Sequence, residues 1–357
     1  MKQNNNLNTA IDARMISKSG IGAYIRHIMG GVGYDFAIGR KGELQAIWPG
    51  DRVIPFECPN YSIKEQLFFP YRKLRAAKID VLHVPHLNIP ILYRGRLVVT
   101  IHDLTHLKFP QFLPGKLHRL YFKFMFWLAC RKASKILTVS ENTKRDIIDR
   151  FNIAPNKITV TPLAAGEEFV RRDKSDVSYL REKYGIPADK KIILYVGNLL
   201  PHKNLSALLK ALELLENECC LVIAGKIFEG RLKLDLNRQS IIRAGFVTPQ
   251  ELVDFYNLAD VLALPSLYEG FGLPVLEAFA CGTPVACSRA SSLPEAGGEY
   301  AFYFDPLNER DIAEKILEAI NAKQEPQELR NYALQFSWEK TAKQVADAIS
   351  IGGWLQR

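Results

Sequence analysis

The sequence predicts an α/β protein built from two doubly wound domains. Three observations carry that expectation. At 357 residues the chain is too long for one ordinary core and comfortable for two. Short runs that are apolar on both faces, as buried parallel strands are, alternate with amphipathic stretches from end to end. A charged segment at 166–190, without such a run, separates two series of them.

In the first series the expected strands are 9–14, 44–48, 81–84, 97–101, 136–139 and 158–161. Helices are expected at 24–29, 64–77, 116–133 and 143–150. In the second series the strands are 192–196, 221–224, 241–244, 261–264 and 285–287. Strand and helix alternating twice over gives two domains, 1–165 and 166–337. Two helix starts are explicit. Thr248-Pro249-Gln250-Glu251 reads as an N-cap, a first-turn proline and a capping-box glutamate. Leu273-Pro274 opens another helix, and Gly282 closes it.

Composition narrows the function classes. Hydrophobic residues make up 48% and charged residues 24%, the profile of a soluble globular protein. The greasiest stretch, 122–130, is half the length of a membrane span. MKQNNNLNTAID lacks the apolar core of an export signal, so a cytoplasmic location is expected. The six cysteines form no CxxC pair, which points to reduced, buried thiols. Charge is divided unevenly. Residues 1–165 hold 25 Lys/Arg against 11 Asp/Glu, and the remainder holds 22 against 27. The first half is therefore expected to meet something anionic. Lipid phosphate, a membrane surface and nucleic acid share that chemistry, but no nucleic-acid module accompanies the charge. Segment 116–132 interleaves basic and aromatic residues, and 64–78 does so too, as interfacial segments do. The same pattern also suits a helix with its aromatics packed inward.

The chemistry concentrates in YEGFGLPVLEAFACG, 268–282. Gly270 and Gly272 remove side chains where a ligand must meet backbone N–H groups. Pro274 starts a helix whose N-terminus favours phosphate. Glu269 lies in the loop, and Glu277 is placed in the first helical turn, on the loop side. Donors for a diphosphate thus sit beside acceptors for hydroxyls. By itself such a loop reads equally well as structure.

Glu269 and Glu277, seven residues apart, resemble the E-x7-E motif of the family 4 retaining glycosyltransferases, which have the GT-B fold of two Rossmann-like domains. SGIGAYIRHI (19–28), VTIHDL (99–104), LTVSENTKRDI (137–147), YVGNLLPHKNL (195–205) and PSLYEGFGLPVLEAFACGTPVACSRASSLPEAGG resemble that family in order and spacing. The resemblance implies an enzyme that moves a hexose from a nucleotide sugar, with no cofactor and no metal. It implies an acceptor domain first and a donor domain second, with a C-terminal helix, 338–357, crossing back to the first. Glu277 would accept from the ribose and Glu269 would touch a donor-sugar hydroxyl. Gly270, Phe271, Gly272 and Leu273 would offer backbone contacts, and Lys203 would neutralise the diphosphate. Asn198 and His202 join the donor set, and Phe246 and Val247 lie where the base would rest. Gly20 and Gly22 form a loop entering a helix near Tyr24, again suited to phosphate. His102 matches the family histidine beside the reaction centre, and Asp103 is a possible helper. His202 stands where related sequences often have arginine, which puts donor affinity in question. The N-terminal pattern looks most like mannosyltransferases of bacterial polysaccharide assembly. GDP-mannose is the favoured donor, a UDP-sugar the alternative, and a glycan or lipid-linked molecule the acceptor, met peripherally at the inner face of the membrane.

Three other classes compete. His83, His86, His102, Asp103 and His106 could hold a hydrolase metal, though strand alternation sets His83 and His86 apart. A dehydrogenase or epimerase needs a third glycine that the Gly20-Ile21-Gly22 stretch lacks. A non-catalytic partner subunit conflicts with intact Lys203, Glu269 and Glu277.

Overall fold

The computed structural model describes residues 7–59, 61–113, 115–215, 217–226 and 234–350. The chain divides into two compact units. One runs to Leu163 and includes the stretch from Trp338, and the other is Ala164–Ser337.

The first unit holds a parallel sheet of β1 (Thr9–Asp12), β2 (Phe36–Gly39), β3 (Val53–Pro55), β4 (Val81–Val84), β5 (Arg96–Ile101), β6 (Lys135–Thr138) and β7 (Ile158–Val160). The strand order is β3-β2-β1-β4-β5-β6-β7. Every pairing is parallel, with Ile11 opposite both Ala37 and His83. Leu82, Val84, Val99 and Ile136 of the strands and Phe126 of the helix Lys116–Lys132 build its core. The helix Trp338–Ile349 packs on the helix Ser19–Val32. A Cβ at Gly31 would stand 2.5 Å from the Ala342 methyl group, so only glycine permits that approach. The Trp338 ring stacks on His27 at 4.2 Å. The remainder of the expected 338–357 helix, residues 351–357, lies outside the described residues.

The second unit holds β8 (Lys191–Val196), β9 (Cys219–Ala224), β10 (Ile241–Gly245), β11 (Val261–Leu264), β12 (Val285–Ser288) and β13 (Phe302–Phe304). Their order is β10-β9-β8-β11-β12-β13, all parallel. β9 and β11 are buried along their whole length, which is why each reads as an unbroken apolar run. The capping box at Thr248 and Glu251 forms in full. In each sheet the order reverses once, between β1 and β4 and between β8 and β11. Loops diverge there and leave room for a ligand outside the carboxyl ends of the strands.

Three expectations change. Segment 44–48 is not a strand. The helix Lys41–Gln45 ends there, and Ile47 and Trp48 continue it as turns onto the Leu44 carbonyl. Buried Leu44 is its single anchor, packed against Gly39. The strands on that side are the short β2 and β3, whose four and three residues are too few for a clear pattern. Segment 64–77 is two helices, Ile63–Phe68 and Tyr71–Ala76, because Pro70 has no N–H to continue the first. Gly20 and Gly22 are not a loop before a helix at Tyr24 but lie inside the helix Ser19–Val32, which follows directly on Lys18. Segment 166–190 holds no strand, as expected, and its helix Tyr179–Tyr184 packs on the helix Pro249–Leu258.

Candidate active site

The second unit assembles its polar residues at the point where its strand order reverses. Lys203 follows β8 in a single tight turn, Pro201–Lys203. Glu269 follows β11. Three links fasten these two loops together. The Leu267 N–H donates to the His202 carbonyl at 2.8 Å, and Asn204 Nδ2 donates to Pro265 O at 3.1 Å. Lys203 Nζ donates to both Glu269 oxygens, at 2.5 and 2.7 Å. Ser266 Oγ donates to Oε1 as well, at 2.6 Å. The loop after β12 holds Glu269 by its backbone: Glu269 N–H donates to Ser291 Oγ at 2.8 Å, and Ser292 Oγ donates to Glu269 O at 2.9 Å.

The helix Leu273–Ala280 starts directly afterwards. Gly272 caps it with φ 108°, a conformation side chains rarely adopt, and a Cβ there would come within 2.7 Å of Leu293. Phe271 is buried against Phe336, so only its backbone can reach a ligand. Glu277 is not in the first turn. Counting from Leu273 it is the fifth helical residue, and the first turn carries no acid. Its carboxylate accepts from Tyr256 Oη at 2.6 Å. Burial pushes the Glu277 carboxyl up to about 7, an effect that nearby Glu168 adds to and Tyr256 opposes. Tyr256 is fully buried, and its phenol is raised well above its usual value. Burial therefore favours the protonated form of this second carboxylate, while Glu269 is tied to a lysine.

Glycines line the neighbouring strand ends. Gly197, Gly225 and Gly245 follow or end β8, β9 and β10. A Cβ on Gly225 would stand 1.9 Å from the Gly197 carbonyl oxygen, so the two backbones touch. Phe246, next in sequence, is 90% exposed.

Two family models match the chain. "Glycosyl transferases group 1" covers residues 176–336, and "Glycosyltransferase Family 4" covers 39–165. O-antigen chain mannosyltransferase B of Escherichia coli is 32% identical over 80% of this chain and 79% of its own. The chain belongs to the family 4 glycosyltransferases. Serotype-specific mannosyltransferase WbdA of Escherichia coli is also 32% identical, over 72% of this chain but only 33% of the much longer relative. A solved glycosyltransferase from Rickettsia africae superposes with a TM-score of 0.75 over 99% of this chain and 100% of its own, at 17% identity. The fold is GT-B, and the protein is a hexosyltransferase.

The first unit of this glycosyltransferase places His102 immediately after β5. Its Nε2 donates to the Pro85 carbonyl at 3.1 Å, which leaves Nδ1 as an acceptor. The Tyr24 ring meets it edge-on at 4.9 Å. Burial lowers its pKa below the usual histidine value, so the ring is neutral at pH 7. Gly22 packs so closely under the chain before it that a Cβ would lie 2.2 Å from the Ile16 carbonyl oxygen. Gly20 has open space instead.

The histidines that suggested a metal have other partners. His83 is buried between Tyr34 and Thr100, with burial lowering its pKa to about 3. His86 faces Asp12 at 3.3 Å. Among the described residues no group of three or more His, Cys, Asp or Glu could hold a metal.

Sequence reasoning missed Tyr256, Ser266, Ser291 and Ser292, which hold the two glutamates in place. Ser291 and Ser292 stood inside the matched stretch CSRASSLPEAGG. Their partner is the backbone of Glu269, a link that spacing alone does not express.

Proposed function

We propose that this enzyme is a retaining mannosyltransferase that takes GDP-mannose as donor and extends a glycan or lipid-linked acceptor. The pairing of Lys203 with Glu269 at the strand-order reversal, beside the Gly270–Gly272 turn, carries the reading. The two mannosyltransferase relatives support the choice of sugar. Donor binding would exchange that ion pair. The diphosphate takes Lys203, and a sugar hydroxyl takes Glu269. Glu277 then receives the ribose and Phe246 or Val247 the base, with Asn198 and His202 beside the phosphates. His102, in the first unit, is expected to take the role of the family histidine. Retention is consistent with reaction on one face of the sugar, in which the leaving phosphate helps deprotonate the acceptor. The protein then supplies chiefly position and charge.

A thermal-shift series with GDP, UDP, ADP, GDP-mannose and UDP-sugars tests the donor. A ligand at 100 times its Kd stabilises the folded state by about 2.7 kcal/mol. Selective guanine shifts are expected. A selective uracil shift would replace the donor by a UDP-sugar, and no shift with any nucleotide would overturn the donor site.

The acceptor reading includes a membrane surface. No helix among the described residues is long and apolar enough to cross a membrane. The helix Lys116–Lys132 buries Phe122, Met125, Phe126, Ala129 and Cys130. Its opposite face leaves Leu117, Leu120, Phe124 and Trp127 exposed, Leu117 to 81%. At 100° per residue these four fall within roughly 80° of one another, with Lys116, Arg119 and Lys123 alongside. Apolar side chains flanked by cations suit an anionic bilayer interface. Changing Lys116, Arg119 and Lys123 together to glutamine is expected to weaken binding to phosphatidylglycerol vesicles by about a hundredfold, at ~1 kcal/mol per cation. Equal sedimentation of wild type and variant would remove the membrane from the proposal.

A further inference from the structure

The first unit carries a cavity that none of the residues assigned above lines. Its volume is about 400 Å³, within the roughly 300–1,000 Å³ of small-molecule sites. Its walls follow three adjacent strands: Arg14 and Lys18 after β1, Arg40 after β2, and Glu57, Cys58 and Tyr61 after β3. It therefore opens outside the carboxyl ends of parallel strands, where this architecture leaves space for ligands.

The walls are held from beneath by a buried ion network. Asp12 accepts from Arg14 Nε at 2.7 Å and from Nη2 at 2.5 Å. Arg14 Nη1 donates to Glu65 Oε1, and the other Glu65 oxygen accepts from the Tyr61 N–H at 2.7 Å. Burial alone would raise the Asp12 carboxyl, yet Arg14 and His86 hold it well below the usual range. The Arg14 guanidinium also lies over Phe56 and Phe69, at 5.2 and 5.3 Å. Tyr61 has φ 62°, a conformation that a bulky side chain keeps only when its surroundings impose it. The consequence is a tyrosine ring fixed at the cavity, 45% exposed, braced by Tyr121 and Phe122.

The charge pattern selects the ligand. Arg14, Lys18 and Arg40 are cations, but Asp12 and Glu65 take the first and Glu43 takes the last. Glu57 adds an acid to the wall. A phosphate would meet little net positive charge. A sugar ring, with hydroxyls that both donate and accept and one apolar face, meets donors, acceptors and an aromatic surface together.

We propose that this cavity is a saccharide subsite that seats a neutral pyranose ring of the acceptor, its hydroxyls on Arg14, Lys18 and Glu57 and its apolar face on Tyr61. The inference rests on the glycosyltransferase reading only in naming the acceptor as the source of the sugar.

Cys58 supplies a direct test. Of the six cysteines it alone is not buried, and it lines the cavity. α-Linked mannobiose is expected to slow labelling of Cys58 by a bulky maleimide, and pyrophosphate is expected to leave it unchanged. The labelled enzyme should lose transfer to acceptor and keep its thermal shift with nucleotide, while Cys58→Ser resists inactivation. Tyr61→Ala should raise acceptor KM about tenfold with kcat retained, and Tyr61→Phe should restore it. Labelling unaffected by every member of a mono- and disaccharide panel, or slowed by pyrophosphate alone, overturns the proposal. A missing nucleotide shift would sink the donor reading instead, and protection by mannobiose would still support the subsite.

Discussion

Glu269→Ala is expected to lower kcat/KM for sugar transfer by about 10²–10³-fold, some 3–4 kcal/mol of transition-state stabilisation. The same change should leave the affinity for free nucleoside diphosphate equal or higher. The reason is that Glu269 occupies Lys203 through both carboxylate oxygens. A diphosphate must win the lysine from the glutamate, and alanine removes that competitor. Nothing in a nucleotide without its sugar would miss the carboxylate. Lys203→Ala should behave differently, weakening nucleotide binding and transfer together, because it removes the charge that meets the leaving group. Isothermal calorimetry with GDP and initial rates with GDP-mannose separate the two variants. Undiminished turnover in Glu269→Ala would remove that residue from the active site. A parallel loss of nucleotide affinity would show that Glu269 supports the phosphate pocket as structure.

Donor affinity is expected to rise with pH across neutrality, because Glu277 titrates near 7 and its carboxylate form is the one that can accept from both ribose hydroxyls. Burial raises this pKa above the unfolded value, so the folded protein favours the protonated acid. Taken alone, Glu277 contributes stability that is complete below about pH 4.5 and is lost as pH rises through about 7. Donor binding has the opposite sign, since it selects the charged form. Below pH 7 the affinity should fall by about tenfold per unit. The groups around this carboxyl are Tyr256, which donates to it, and Glu168 and Cys281, whose charges couple to it. His202, if it binds phosphate as imidazolium, would pull the other way. Intact nucleotide sugar is the right probe, because its diphosphate gains no proton in this range. Glu277→Gln should flatten the rise and bind weakly at every pH. A profile identical in wild type and Glu277→Gln would assign the titration elsewhere.

Much of this site was legible because its chemistry is local. Glu269, Gly270, Phe271, Gly272 and Leu273 form one loop and helix start, so their order along the chain is nearly their order in space. Lys203 could be placed only by resemblance, since 66 residues separate it from the carboxylate it touches. Tyr256 gave no signal at all. It lies in a helix whose face is uniformly buried, and a tyrosine there reads as core.

The sequence by itself determined the two-domain α/β class, the long buried strands and the helix caps. Each depends on neighbours along the chain: unbroken apolar runs for β9 and β11, and Thr248 with Glu251 for a cap. Tertiary structure decided the rest. β2 and β3 are strands because β1 supplies hydrogen-bond partners to β2 and β2 supplies them to β3, not because seven residues carry a pattern of their own. Leu44 is helical because it fills space beneath Gly39. Lys203 and Glu269 meet because the strand order reverses between β8 and β11. Tyr61 takes its strained conformation because Glu65, held by Arg14, accepts its N–H. For the edge strands and for Lys203 with Glu269 the deciding contact is distant in sequence, and its free energy exists only once the sheet has formed.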